Sequence, residues 1–558
     1  MRNKSVQHNE GIALLVATIF VAIAVLVLGA LAMRVVQQNN QSAQYKLFNE
    51  TFTGVEAAVA RSWVEIEAGQ DGQVGLGTWS LPAPGTGVTL PDFGDEDVAP
   101  ETSPTQPSVE YMAYADNWAA NGIDDDGDGT VDGVEELRCY TIFGMASNRG
   151  IARTAELVIK GWDVNVWRNA IFAGAGQAGG LINGNVSIHG SVHLLGQNVL
   201  PGQTAISAID LSGTSLIHNN YTGLVASLAD RVPPLPVREF NGESVGTLNA
   251  KLRVRNGLVA MSGTSEIGEP NVSGNTLKET MDGVFVNDGY TGTSVTDDGD
   301  RGDPTALFSD NGWDQRYELG DKIPMPLFTD DYREKDTGTT YVNPSTLANF
   351  THEDYFEQVL TGTPYPGDLT ISAATDFYYN ATRPAETDSS LRLPTDDYIL
   401  FNATTNLMEI NGQIQVDGNL LITRGGGNDK TINYTGRAAL LVHGDAVLDT
   451  DLLSVNANGT TANSFPVNNI FGIMAERNLT VGSLSQLQLM GAFYAQGTVR
   501  SVRQTTIMGT LVGGYFDMGT NVPDIYQVPD LPDNLPLGMI GAYPIIVYAK
   551  VSWRELGT

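Results

Sequence analysis

From Ile12 to Met33 the chain reads IALLVATIFVAIAVLVLGALAM, 22 residues without a charge. As a helix this run is about 33 Å long at ~1.5 Å per residue, enough to cross a bilayer core. The pattern then changes without a break. No proline occurs before Pro82, and Phe48, Phe52, Val55, Val59, Trp63 and Ile66 step by 4, 3, 4, 4 and 3, one face of a helix. One continuous helix is therefore predicted from Ile12 to about Ala68. Its first half is apolar all round, and its second half is amphipathic. The six stepped residues form the face that packs on a globular head.

Beyond the helix the periodicity shortens from helical to alternating. Gly69 to Pro107 reads as a loop of Gly, Pro, Thr, Asp and Ser. Leu137–Met145 and Ile151–Ile159 alternate on either side of Ser147-Asn148-Arg149-Gly150, a β-hairpin signal. From Asn169 onward short alternating runs are punctuated by Gly and Asn, as in NGNVSIHGSVHLLG (183–196), INGQIQVDGNLLI (410–422), GRAALLVHGDAVL (436–448), GIMAERNLTV (472–481), GAFYAQGTVRSV (491–502) and GTLVGGYF (509–516). The last three begin 19 and 18 residues apart, the spacing of stacked β-rungs. A β-sandwich or a series of hairpins stays open as the alternative.

Between Asp297 and Pro394 the repeat is lost in an acidic stretch rich in Tyr, Thr and Pro, read as a long insertion on the side of the repeats. After Pro523 a proline-rich connector leads to YPIIVYAKVSWRE (543–555), a closing strand read as a cap on the last sheet. The expected fold class is mainly β with one long N-terminal α-helix: helix plus hairpin, then a solenoid-like β-body with an inserted acidic loop region. The expected divisions are a leader (1–11), the transmembrane and amphipathic helix (12–68), a head with an acidic loop and hairpin (69–165), β-repeats (166–296), the acidic insertion (297–400), β-repeats again (401–522), and the connector with its closing strand (523–558).

Charge and composition narrow the function. The net charge of −33 repels phosphate backbones, so nucleic acid is not an expected partner. Hydrophobic residues at 42% against 17% charged describe a chain that buries a core. A single cysteine, Cys139, excludes an internal disulfide or a cysteine-rich zinc site, and it reads as a buried filler in the first hairpin strand. Arg2 and Lys4 precede the apolar run, which places the N-terminus in the cytoplasm and the remainder outside. The run is too long for the apolar region of a cleavable secretory signal, and no small-x-small site follows it.

Gly11 followed by Ile12-Ala-Leu-Leu-Val resembles the cleavage site of a class III prepilin leader. The stretch from Gly11 to Arg34, continuing to FTGVEAAVAR (52–61), is similar to the N-terminal region of PilX-type minor pilins, type IV pilus assembly proteins. The resemblance implies a cut between Gly11 and Ile12 by the prepilin peptidase, passage through the inner membrane, and assembly with other pilin or pseudopilin subunits into a filament at the cell surface. Major pilins of this kind carry a glutamate five residues after the cut, where this chain has Val16. A buried carboxylate without a partner is costly, so a subunit with nothing above it loses little by omitting one. The resemblance thus points to a tip or initiating component. More loosely, the β-phrases resemble bactofilin-like β-helical repeats.

One motif carries metal chemistry. DDDGDGTVDGVE (124–135) matches the D-x-[DN]-x-[DN]-G-x₅-E calcium loop at every fixed position. Asp124, Asp126, Asp128, the Thr130 carbonyl, Asp132 and Glu135 are the expected ligands, with Gly129 at the turn. The bland reading is a solvated acidic linker. Arg301-Gly302-Asp303 reads as a chance match. His189, His193 and His218 read as surface or stacking residues, since no carboxylate or cysteine is placed beside them. No nucleophile elbow, zincin, Walker A or dinucleotide motif occurs, so no catalytic residue is expected. Function is therefore expected from assembly or adhesion, with a surface or carbohydrate ligand among the candidate partners. The competing reading is a membrane-anchored extracellular β-helical enzyme acting on polysaccharide, or a binding module unrelated to pili. A cleft lined by aromatics and carboxylates with a basic residue would favour the enzyme.

Overall fold

A computed structural model describes residues 9–79, 89–93, 95–125, 131, 136, 138–177, 182–184, 187–199, 206–296, 303–312, 316–320, 323–425, 431–483, 486–518 and 523–556. The protein is mainly β with one long N-terminal helix, Asn9–Glu67, unbroken over 59 residues. Two compact units divide the chain: Met1–Trp162 with Ile546–Thr558, and Asp163–Ile545. The second unit is thus inserted between two neighbouring strands of the first.

In the first unit a five-stranded sheet runs in the order Glu101–Thr102, Val109–Asn117, Cys139–Asn148, Ile151–Asp163, Ile546–Leu556. The hairpin at its centre turns on Arg149 and Gly150, with φ of 52° and 83°. Positive φ at both central residues is the type I′ geometry that matches strand twist, and Gly150 takes it without a Cβ penalty. One face of the sheet buries Val109, Ala113, Ile142, Ala146, Leu157 and Ile159 against the helix. The other face buries Met112, Tyr114 and Met145 beneath Leu76, Trp79, Leu90 and Phe93. Part of the segment that read as a loop after Gly69 therefore covers a sheet face, through Leu76, Trp79, Leu90, Phe93 and Val98.

The closing strand is a correction. Instead of capping the repeats, Ile546–Leu556 forms the edge of this first sheet, beside Ile151–Asp163. Trp553 meets Phe52 edge-on at 6.5 Å, and Tyr548 meets Tyr140 at 5.9 Å. Arg153 pairs with Glu555, and Arg554 with Glu156 at 2.6 Å. Its aromatic side chains and two ion pairs find partners in the head, which the strand's alternation alone did not specify.

The second unit holds, among the described residues, a 20-stranded sheet of mostly parallel pairs. One column of paired positions shows its order: Ile414, Leu440, Ile473, Phe493, Leu511, Ile171, Val192, Leu252 and Val284 are successive partners. All nine side chains are buried. The column begins in its middle at Ile171, runs out to Val284, restarts at the far end at Ile414, and returns to Leu511 beside Ile171. Along one corner Asp368, Asn419, Asp445 and Asn478 form a polar ladder. Each side-chain oxygen accepts from the backbone N–H of the next strand, at 2.8, 2.9, 3.0 and 2.9 Å, the last being Thr498. The ladder satisfies backbone donors that a tight corner leaves without a strand partner.

The acidic stretch, read as an insertion on the side of the repeats, has a buried aromatic part. Ile323, Met325, Phe328, Tyr332, Phe350, Tyr355 and Phe356 are buried, with Tyr332 and Tyr355 stacked at 3.7 Å. Leu369–Ser372 pairs in parallel with Leu420–Thr423, and Phe377–Asn380, Tyr398–Asn402 and Leu407–Val416 form an antiparallel meander within the same sheet. Its aromatic residues decide the outcome, since each large ring buries far more apolar surface than the intervening carboxylates can oppose from the solvent side. The Pro-rich connector is packed as well. Asp524–Tyr526 joins the parallel ladder, and Leu531, Leu535, Met539 and Ile540 are buried.

Candidate functional site: the apolar helix, its packing face and the acidic loop

The helix has two chemically different halves. From Leu14 to Lys46 every residue is exposed, among them Leu15, Phe20, Leu26, Leu28 and Met33. The mean hydropathy of its most apolar stretch is 3.0, and by length and composition it is long and apolar enough to cross a membrane. An apolar surface of this extent requires lipid or other apolar helices around it. Val16 lies within it as one more apolar side chain. Gly11 and Ile12, the expected processing site, fall inside the helical backbone.

The other half packs on the head. Of the six expected packing residues, Val55, Val59 and Ile66 are buried, while Phe48, Phe52 and Trp63 are half-buried at the edge of the contact. Phe48 lies beneath the Arg153 guanidinium, 3.6 Å from its ring centre. The middle of the face belongs to small residues that the bulky stripe did not reveal: Thr51, Gly54, Ala58 and Ser62. A Cβ on Gly54 would stand 2.6 Å from Val109 Cγ1, and one on Gly144 would stand 2.4 Å from Val59 Cγ2. Two glycines on facing elements bring the helix close to the sheet. Ser62 Oγ donates to the Gly72 carbonyl at 2.6 Å, which anchors the turn after the helix. The spacing 51, 54, 58, 62 was the available signal, had small residues been counted as a face.

Of the acidic loop, Asp124 is described, whereas Asp126, Asp128, Thr130, Asp132 and Glu135 lie outside the described residues. Its frame is well defined. Asn121 donates to Asp116 at 3.0 Å and to Asp125 at 2.7 Å, and its oxygen accepts from Ile123 N–H at 2.9 Å. Glu136 is fully buried, and its carboxylate accepts from Asp125 N–H at 2.6 Å. This bond ties Asp125 to Glu136. Sequence reasoning named Glu135 as a ligand and did not single out Glu136, whose burial depends on the packing of the head. Burial raises the pKa of the Tyr114 phenol beneath this frame, which stays protonated and donates to Asp116 at 3.3 Å.

His189, His193 and His218 are buried, and of the surface or stacking readings the stacking one describes His189 and His218. His189 is stacked between His218 at 4.4 Å and Tyr526 at 4.1 Å, with its Nδ1 2.7 Å from the Asn220 carbonyl. Burial lowers its pKa to about 3, so it is neutral at physiological pH. His193 Nε2 lies 2.6 Å from the Tyr317 hydroxyl. In-register pairing of their strands aligns the rings of His189, His218 and Tyr526, which makes them a stacked column. Cys139 is buried, and Asp303 of the Arg-Gly-Asp triplet belongs to a two-residue strand, with Arg301 and Gly302 outside the described residues.

No protein-family model matches the chain, and no curated protein matches it. Among solved structures it is similar to the competence-associated pilin ComZ from Thermus thermophilus, with a TM-score of 0.50 and 17% sequence identity over 91% of this chain and 97% of that one. At this identity the likeness is one of fold. The long helix, the sheet packed on its second half and the large β-rich unit together make this a pilin-like fold.

Proposed function

We propose that the chain is a minor pilin-like subunit, exported through a type IV pilus or related machinery, tip-located or initiating, whose β-rich unit is displayed for assembly or surface adhesion. One observation carries this reading: a single helix is fully exposed and apolar over its first half and packed on a small sheet over its second. A subunit built this way waits in the inner membrane and then exchanges lipid for the apolar helices of neighbouring subunits. Cleavage between Gly11 and Ile12 by the prepilin peptidase releases it for assembly. Val16 in place of a carboxylate suits a position with no subunit above it. The parallel column from Ile414 to Val284 supports a solenoid-like body, in which each strand pair is one rung. Calcium, held by Asp124 and the carboxylates that follow it, fixes the loop between the ends pinned by Asp125 and Glu136.

The protein acts by contact in this reading and not by turnover. A cavity of about 300 Å³ in the second unit is lined by Lys335, Asp336, Asn411, Gln413, Arg437 and Leu537. Among the described residues its lining holds no aromatic ring. The test exploits the single buried cysteine. With Cys139 out of reach, Leu26→Cys places one accessible thiol on the apolar half of the helix. Oxidation of intact cells bearing this variant and matching cysteines in other pilins should give disulfide-linked heterodimers in the sheared surface fraction. A chain that stays monomeric and membrane-bound under the same oxidation would overturn the proposal.

A further inference from the structure

The ladder that pairs Val416 with Val442 and Val442 with Ala475 places the next residues of two strands, His443 and Glu476, side by side at a corner of the second unit. The backbone continues the pairing there, with Glu476 N–H donating to the Val442 carbonyl at 2.9 Å. Facing them is Glu353, on a short helical turn that Thr351 and Asp354 close with a capping box. Glu353 N–H donates to the Phe328 carbonyl at 3.2 Å, which fixes the turn against the buried aromatic segment. One ligand atom from each of Glu353, His443 and Glu476 lies within 4.8 Å of the other two. All three side chains are half-buried.

Two features set this cluster apart from an ordinary acidic surface. Its two carboxylates come from segments far apart in the chain, on the turn at Glu353 and the strand end at Glu476. One imidazole faces them. The imidazole is also held from behind, since Gln415, only 9% exposed, places its amide nitrogen 2.6 Å from His443 Nε2, while His443 Nδ1 lies 2.6 Å from Glu476 Oε1. A ring fixed at one nitrogen by a buried amide, with its other nitrogen turned to a pair of carboxylates, is the arrangement by which second-shell groups orient a ligating histidine.

We infer that Glu353, His443 and Glu476 form a binding site for a divalent transition metal of the zinc class. One nitrogen and two carboxylate oxygens suit a borderline cation better than calcium or magnesium, which prefer oxygen alone. Tetrahedral ligands at about 2.0–2.2 Å stand roughly 3.4 Å apart, so the three atoms, now within 4.8 Å of one another, have about 1 Å to close. On binding, the ring's single proton passes by way of solvent from Nδ1 to Nε2, so that the Nδ1 lone pair faces the metal. The Gln415 amide turns so that its oxygen accepts from Nε2–H. Water completes the fourth position. The ion ties the turn at Glu353 to two adjacent strands of the stack, and so staples the segment carrying Tyr355 and Phe356 onto the rungs. None of these residues belongs to the acidic loop at Asp124–Glu135, so the two metal readings stand or fall separately.

The test titrates ZnCl₂ into tag-free, chelator-stripped full-length protein in detergent micelles, followed by calorimetry, with Co²⁺ as a spectroscopic probe of nitrogen–oxygen coordination. One Zn²⁺ per chain is expected, resistant to equimolar Ca²⁺ and unchanged when Asp124 and Glu135 are both replaced by alanine. Glu353→Gln, which keeps the side chain's shape, should weaken it at least tenfold, and His443→Ala should abolish it and the cobalt band. Gln415→Ala should weaken it by about 10- to 100-fold, as the loss of an orienting group does. Absence of saturable Zn²⁺ binding, displacement by equimolar Ca²⁺, or affinity unchanged in Glu353→Gln would overturn the site. If His443→Ala fails to fold, the Glu353→Gln result decides alone.

Discussion

Replacing Gly144 by alanine is the sharpest perturbation of the helix–sheet contact. The added Cβ would stand 2.4 Å from Val59 Cγ2 and 3.0 Å from the Val55 carbonyl oxygen. Carbon atoms pack at about 3.5–4.0 Å, so relief requires roughly 1 Å of movement by the helix or a new Val59 rotamer. The Gly144 φ is not in the left-handed region, so the cost is steric and not a matter of backbone conformation. Lifting the helix also loosens Val55, Ala58 and Ile66, which share the contact. Overpacking of this kind costs about 1–3 kcal/mol. Hydrogen exchange of peptides spanning residues 139–160, in full-length protein in micelles, reads that cost as about 5- to 150-fold faster exchange. Val59→Ala removes the opposing methyl. The double variant should therefore be more stable than the sum of the two singles predicts, by at least about 1 kcal/mol. Gly150→Ala serves as the comparison: its Cβ meets nothing within 4 Å and its φ is +83°, so its loss is turn strain that Val59→Ala cannot relieve. Native exchange rates in Gly144→Ala, or additive effects in the pair, would refute the close-approach argument.

Three further outcomes are expected. Calcium at a hundredfold excess over its Kd should stabilise the head by about 2.7 kcal/mol, seen as slower proteolysis between residues 110 and 140 than in chelator; Asp124→Ala with Glu135→Ala should erase the difference. Arg383, with its Nε 3.1 Å from Asp396 Oδ2, and the Leu393 N–H hold the Asp396 pKa at about 2. Against about 3.9 in an unfolded chain, this stabilisation is complete above pH 4 and is lost as pH falls through 2. Pepsin should spare residues 380–400 at pH 4 and cut them near pH 2, with Asp396→Asn cut at both. Asn478→Ala removes the acceptor for Thr498 N–H and a donor to Asp445, at a cost of about 1–2 kcal/mol, read as faster exchange in residues 479–501 without change in the head.

The helix and the hairpin were legible because local chemistry alone determines them. Twenty-two uncharged residues from Ile12 permit few alternatives to a helix in lipid, and Arg149-Gly150 between two alternating runs specifies a two-residue turn. The order of the strands was not legible. Leu511 pairs with Ile171 across most of the second unit's sequence, and no local period distinguishes that partner from any other apolar strand. Spacing near twenty was visible because it holds where the connections are shortest: Gly472 pairs with Ala492, and Gly491 with Gly509. Elsewhere the connections lengthen, and Val192 pairs with Leu252. The packing of the acidic stretch was not legible, because nothing local in its sequence says that Phe328, Tyr332 and Tyr355 are buried together. The cluster of Glu353, His443 and Glu476 could not be read at all, since its members meet only after the ladder has set their register.

The central claim is that the exposed helix belongs to a processed pilin-like subunit, and the native N-terminus tests it most directly. Protein recovered from sheared surface filaments and from membranes should be measured by intact mass and N-terminal peptide mapping. A mature chain beginning at Ile12 is expected in the filament fraction, with Gly11→Val left uncut and confined to the membrane. A native chain that still begins at Met1, or a Gly11→Val variant processed and exported normally, would contradict it.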